Sequence, residues 1–552
     1  MLIAADHMRA LALICVVACT DVSGPDEEWG MDGPVEQTPA PGKEDSEYRR
    51  GLLVATNTSR TQVWTARNRW EDTDPATGLT WDERYVAWIE SLRYIPSIDN
   101  YSMTVELTTP WGKTLPSPYL ECAEMAIFLR ITFAAWYELP LQLEAVSNGV
   151  RVYFGHYGVR TQAGRFAASP EFAIQYRDYT RTAYTTWPSD SVLRRRKLWG
   201  GVDEQPELGP NSVFGAYVDE IHLNKRAGYF TVLVLNYLSS TNLADTANTY
   251  NVMPESVRAG DVLLERWQRS GIGHTLVVKE VVPVDESSLD VTLISGSMPR
   301  RQGVKESGQS SKSYFTSEYT GGEGETDDGT PYAKLGGGLK RFRVTKNIGG
   351  YWTNTWMAAD EASWINSTDY ARIAARPARF AALLGQVPPE QAKAELLTQI
   401  ANARHHLSQY PASCAARERR EDAFRALYEL SARTWGKSKA DVDAEVRTLE
   451  DYTFGELEYT KSKTCCWNST TSAMYDAIMR KAEADKAAAD ERGVCEAPVV
   501  FAARSDGYAY WSSFAASIGV DWKAWSEDEA CPQKYVAADT VAPLDATPYC
   551  SL

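Results

Sequence analysis

Between Tyr119 and Tyr137 the chain is apolar on nearly every side of a helical wheel, and this stretch limits the fold more than any other. A helix without a polar face has to be covered all round, so it belongs inside a domain rather than on its surface. Ser117 and Pro118 suit the N-cap and N1 positions, which places Cys122 within the first turn and a half. The flanking patterns supply the covering layers. Trp81–Leu92 carries apolar residues at helical spacing, while Met103–Thr108 and Gly149–Phe154 read as strands. Phe214–Leu238 predicts one or two helices. Asp261–Glu265, His274–Val282 and Leu289–Ser295 follow as strands, the last two joined by a short polar turn as an antiparallel hairpin. The fold class is α+β.

At 552 residues the chain exceeds one compact core, and roughly 100–200 residues per domain predicts two to four. With 57 Lys and Arg against 73 Asp and Glu, its net charge of −16 has the wrong sign for neutralising phosphates. Nucleic acid is therefore excluded as a partner. Beyond the N-terminus no apolar run approaches a bilayer span; even 123–139 is interrupted by Glu124, Arg130 and Glu138. At the N-terminus, Arg9 precedes an apolar run ending in Val16-Val17-Ala18-Cys19. This resembles a bacterial lipobox, which implies a signal peptide at 1–19 and lipidation of Cys19 in an exported, cell-envelope protein. Residues 20–50, acidic and Pro-containing, predict a disordered tether.

Cysteine usage divides the rest. Cys122 stands alone in the first half, whereas Cys414, Cys465, Cys466, Cys495, Cys531 and Cys550 crowd into the last 140 residues. In an exported chain those six are expected to form disulfides, with a connectivity that sequence does not choose. No CxxC spacing supports zinc, and neither a metal nor another cofactor is expected. Helical periodicity over Pro389–Leu407, Ala415–Thr434, Ala440–Asp451 and Ser469–Arg492 makes 350–552 a helical, disulfide-linked domain. The Gly-rich segment 311–349 reads as a loop region.

For chemistry, the chain has no GxSxG, HExxH or strand-linked GxGxxG, and the GKT of 112–114 lacks the first P-loop glycine because position 107 is Leu. A thiol at a helix N-terminus faces unpaired N–H groups and a positive dipole end, both of which favour thiolate. Cys122 with His274 as base would make a nucleophilic pair. The plainer alternative is a small, inert core thiol.

Two segments, Arg258-Ala259-Gly260-Asp261-Val262-Leu263-Leu264 and Gly271-Ile272-Gly273-His274-Thr275-Leu276, follow the helix that carries Glu121-Cys122-Ala123-Glu124. Together they resemble the NlpC/CHAP group of papain-like cysteine amidases and peptidases, over less than a fifth of the chain. The resemblance implies a papain-like domain at about 51–310, with Cys122 as nucleophile and His274 as general base. An insertion at about 146–254 would account for their separation of 152 positions. The third, orienting position of that group falls near Ser295 and Ser297, and Ser297 is taken as the candidate. The substrate implied is an amide or peptide bond, most naturally in cell-wall peptide, and the only membrane contact would be the N-terminal lipid anchor. Three alternatives remain at this level. Cys122, His156 and Asp178 loosely resemble a transglutaminase-like order; the same Cys–His pair could serve acyl transfer; or the scaffold could be a non-catalytic surface lipoprotein that binds.

Overall fold

The structure is a computed structural model that describes residues 49–53, 63–98, 102–147, 149–161, 214–268, 273–285, 288–297, 300–306, 308–385, 388–458, 471–496, 498–501, 506–522, 540–541 and 548–551. The expectations for the signal peptide, Cys19, residues 20–48 of the tether, Asp178, Cys465, Cys466 and Cys531 lie outside the described residues, whereas Arg49 and Arg50, at the end expected to be disordered, belong to a strand and pair with Asn354 and Thr353. The chain divides into two units, Met1–Glu306 with Lys312–Gly385, and Ser307–Ser311 with Gln386–Leu552.

The first unit is α+β. Its centre is a seven-stranded antiparallel sheet built from β1 (Thr249–Val252), β2 (Val262–Glu265), β3 (His274–Pro283), β4 (Leu289–Ser295), β5 (Val304–Glu306), β6 (Gly338–Phe342) and β7 (Trp364–Ile365), in the order β5-β4-β3-β2-β6-β1-β7. Helix α1 (Trp81–Ser91) starts at a capping box in which Thr80 and Glu83 serve each other's backbone N–H groups. Helix α2 (Cys122–Trp136) is the apolar one, and every residue from Cys122 to Ala134 is buried. It packs on the sheet face that presents Val262, Leu264, Val277 and Ile294. Alternation along the strands sends Leu263, Leu276, Val278 and Leu293 to the other face, where they meet Phe315, Phe380 and Leu384. Of the two charged residues in α2, Glu124 lies in the first turn, and Arg130 is buried farther along with its guanidinium 3.4 Å from the Trp70 ring centroid.

Three expectations need correction. Ser117 and Pro118 do not open α2: Tyr119–Leu120 pair instead with Arg301–Gln302 as a short strand, so the helix begins after Glu121 and Cys122 is its first residue. The segment 311–349 is not simply loop, because β6 lies between β2 and β1. Its sequence, Gly-Leu-Lys-Arg-Phe, hides a strand behind polar residues that are nonetheless buried. The first unit therefore runs to Gly385 rather than to 310. Within the expected insertion, helix α3 (Lys225–Tyr237) and β1 belong to this same unit.

The glycine of the Gly260-Asp261 pair has a structural reason. Gly260 adopts φ +84°, and a Cβ there would stand 2.5 Å from the Tyr85 ring, so only glycine turns the chain into β2 at that point. Asp261 then accepts two hydrogen bonds from the Arg341 guanidinium, 2.7 and 2.8 Å, which ties β2 to β6.

The second unit is helical. Helices α4 (Pro389–Gln409), α5 (Cys414–Trp435), α6 (Ser472–Glu491) and α7 (Asp506–Ser517) surround two small apolar cores. The expected helix over 440–451 is broken into Lys439–Val446 and Leu449–Thr453, the second with Thr448 and Asp451 at its start. Cys495 and Cys550 form a disulfide with Cα atoms 5.5 Å apart. Cys414 opens α5.

Candidate functional site

The start of α2 meets the sheet where β3 begins and β4 ends. Ser297 donates its backbone N–H to the Leu120 carbonyl at 3.2 Å. Beside it, Gly296 is pressed so close that a Cβ would stand 2.5 Å from the Glu121 carbonyl oxygen. The thiol of Cys122, 7% exposed, donates to the carbonyl of Gly273 at 3.7 Å and accepts from the N–H of Thr275. It therefore rests against the backbone on both sides of His274. Cys122, His274 and Ser297, far apart in sequence, come to one place.

Register defines the rest of the cluster. Leu276 pairs with Ser295 at the end of the ladder between β3 and β4, and Ser297 follows two residues beyond β4. On the other side of β3 His274 pairs with Glu265, the last residue of β2. Glu265 is buried and shares a sheet face with His274, a residue that the motif comparison missed. Counting a hairpin register between Val262-Leu263-Leu264-Glu265 and His274-Thr275-Leu276-Val277 would have found it.

Two site expectations are altered. Side-chain alternation places His274 on the sheet face away from α2, where its ring centroid is 5.7 Å from that of Tyr314. The thiol's acceptor is thus the Gly273 carbonyl rather than the imidazole. Nor is the thiol poised as thiolate. Burial pushes its pKa up to about 11, and the nearby Glu121 and Glu124 carboxylates add to the rise against the two backbone N–H groups. Arg300 holds Glu124 through two hydrogen bonds of 3.0 and 2.7 Å, and Glu124 also accepts the N–H of Glu121 at 2.7 Å, so that carboxylate is fixed in the first turn.

The rival His156 sits in a different setting. Fully buried, its ring centroid is 4.4 Å from that of Trp352 and 6.3 Å from that of Trp64, and its Nδ1 lies 3.4 Å from the backbone of Leu141. Burial lowers its pKa to about 3, so it is a neutral packing group. His222 behaves alike: it lies 3.1 Å from the Thr231 hydroxyl, and burial lowers its pKa to about 3.

No protein-family model, curated protein or solved structure matches the chain. Among the described residues no helix is long and apolar enough to cross a membrane.

Proposed function

We propose that the first unit is a papain-like cysteine hydrolase that cleaves an amide or peptide bond, with cell-wall peptide as substrate, in an exported protein anchored through Cys19. The observation that carries this is the convergence of Cys122 at the first position of a buried helix with the strand end that bears His274, across 152 residues of sequence. In the reaction the Cys122 Sγ attacks the substrate carbonyl carbon while its proton passes to the His274 imidazole. The backbone N–H of Cys122, at the positive end of α2, stabilises the oxyanion. The imidazolium then protonates the departing amine, and water, deprotonated by the same imidazole, releases the acyl group from sulfur. Glu265, the register partner of His274, and Ser297, just beyond the end of β4, hold its ring.

A thiol with a raised pKa works here as a general-base nucleophile: it is protonated at rest and loses its proton only during attack. In the resting structure the imidazole lies on the other sheet face, so the proton passes to it through one water at the strand end, where His274 is the first residue of β3. The resting geometry also favours a second reading, a papain-like binding scaffold with an inert thiol, because the Sγ–H is already satisfied by Gly273.

Alkylation with iodoacetamide followed by peptide mass mapping separates the two. For the hydrolase, His274→Ala slows labelling of Cys122 near pH 7 by roughly tenfold or more, because the base is lost. A rate identical in the variant, rising with pH along a single ionisation near 11, supports the scaffold instead.

A further inference from the structure

The second unit contains a cavity of about 200 Å³ to which neither the sequence motifs nor the proposed chemistry assigns a role. One wall is the face of α6 that presents Ala482, Asp485, Ala488 and Ala489, whose three small side chains leave the space open. Tyr510 and Trp511 of α7 and Tyr549 of the C-terminal turn supply aromatic surface around it. The Cys495–Cys550 disulfide ties the chain beyond α6 to the residue after Tyr549, which keeps that ring in place.

These walls are fixed before any ligand arrives. The Tyr510 hydroxyl and the Lys481 ammonium both bond Asp485. Tyr549 is buried, its ring centroid 5.3 Å from that of Tyr452, with the Lys486 ammonium 5.6 Å from its centroid. At the rim Arg492 pairs with Glu496 at 2.9 Å and donates to the Ala488 carbonyl at 3.1 Å.

From this lining we infer that the cavity binds one neutral sugar ring. Its volume lies below the roughly 300–1,000 Å³ typical of drug-sized ligands, so the occupant is a single small ring. Aromatic and alanine surface suits the apolar face of such a ring. The polar groups then decide its charge. Asp485 is already matched by Lys481, and Arg492 by Glu496, so these groups leave no uncompensated charge to attract a carboxylate or an ammonium ligand. Hydroxyl groups, which both donate and accept, bond these groups without displacing either pair.

The test is titration of the full, oxidised chain with methyl β-glucoside and with N-acetylglucosamine, followed by tryptophan fluorescence, with phenylalanine as a zwitterionic comparison. Saturable binding of a sugar is expected. It should weaken roughly tenfold or more in Ala488→Phe, which fills the cavity from an exposed helix position and leaves the thermal transition unchanged, and also in Tyr549→Ala. Failure of both sugars to saturate, unaltered binding in Ala488→Phe, or preference for phenylalanine would overturn the assignment. None of these outcomes depends on Cys122.

Discussion

At the scale of the residue, burial decides which titratable groups can do chemistry. His156 and His222 are held neutral inside the first unit, each with a pKa lowered to about 3 from an unfolded value of 6.5. A depressed histidine pKa gives stability that is complete above pH 6.5 and is lost as pH falls toward 3. Each histidine should therefore cost about 2 kcal/mol between pH 7 and pH 5, at about 1.4 kcal/mol per pH unit. Denaturant unfolding at the two pH values measures the loss, and His156→Phe, which keeps a ring against Trp352, should remove about half of it. An unchanged difference would mean that His156 is charged, or that it is not buried as described. In sequence His156 was not distinguishable from a catalytic histidine. Its place in the order Cys122, His156, Asp178 resembled that of a catalytic base, and only the tertiary position against Trp64 and Trp352 shows a packed ring.

At the scale of the element, α2 is both the mechanical centre of the first unit and the carrier of the thiol. Phe133 touches Trp70, Tyr85, Trp88 and Tyr137 with ring centroids 4.8–6.2 Å apart, so Phe133→Ala should destabilise the unit by about 3–5 kcal/mol. Chemical denaturation of the variant checks this, and a loss below about 1 kcal/mol would contradict the packing. Gly296→Ala acts differently. Its Cβ would strike the Leu120 and Glu121 carbonyls and push the start of α2 away from the sheet. It should change the alkylation rate of Cys122 far more than an alanine at half-buried Glu138 does. The helix itself was legible because nineteen nearly continuous apolar residues permit little else. Its start was not. Ser117 and Pro118 carry good capping chemistry, yet the edge of Arg301–Gln302 captures the backbone of the next two residues and delays the helix to Cys122. The strands of the His274 hairpin were placed nearly to the residue, because β-branched runs bounded by turn residues are strong local signals. Which sheet face His274 occupies depends on long-range register, and no local pattern encodes that.

At the scale of the whole molecule, the division into two units makes a prediction about truncation. A chain ending at Gly385 keeps all seven strands of the central sheet, whereas one ending at 310 loses β6 from between β2 and β1. The first should unfold in a single cooperative step and the second should not fold, as judged by near-ultraviolet circular dichroism and thermal melting. Cooperative melting of the shorter chain would refute the topology. The boundary at 310 was misread because Gly336-Gly337-Gly338 hides the strand that follows, while the helical character of the C-terminal unit was plain from its apolar spacing. The functional proposal is decided most directly by incubating the full chain with purified cell-wall peptides and counting newly released amino groups by mass spectrometry, beside Cys122→Ala and His274→Ala. A Cys122 nucleophile with His274 as its base predicts release by the natural chain and loss of about a thousandfold or more in each variant. Equal release by Cys122→Ala, or none by the natural chain, would contradict it.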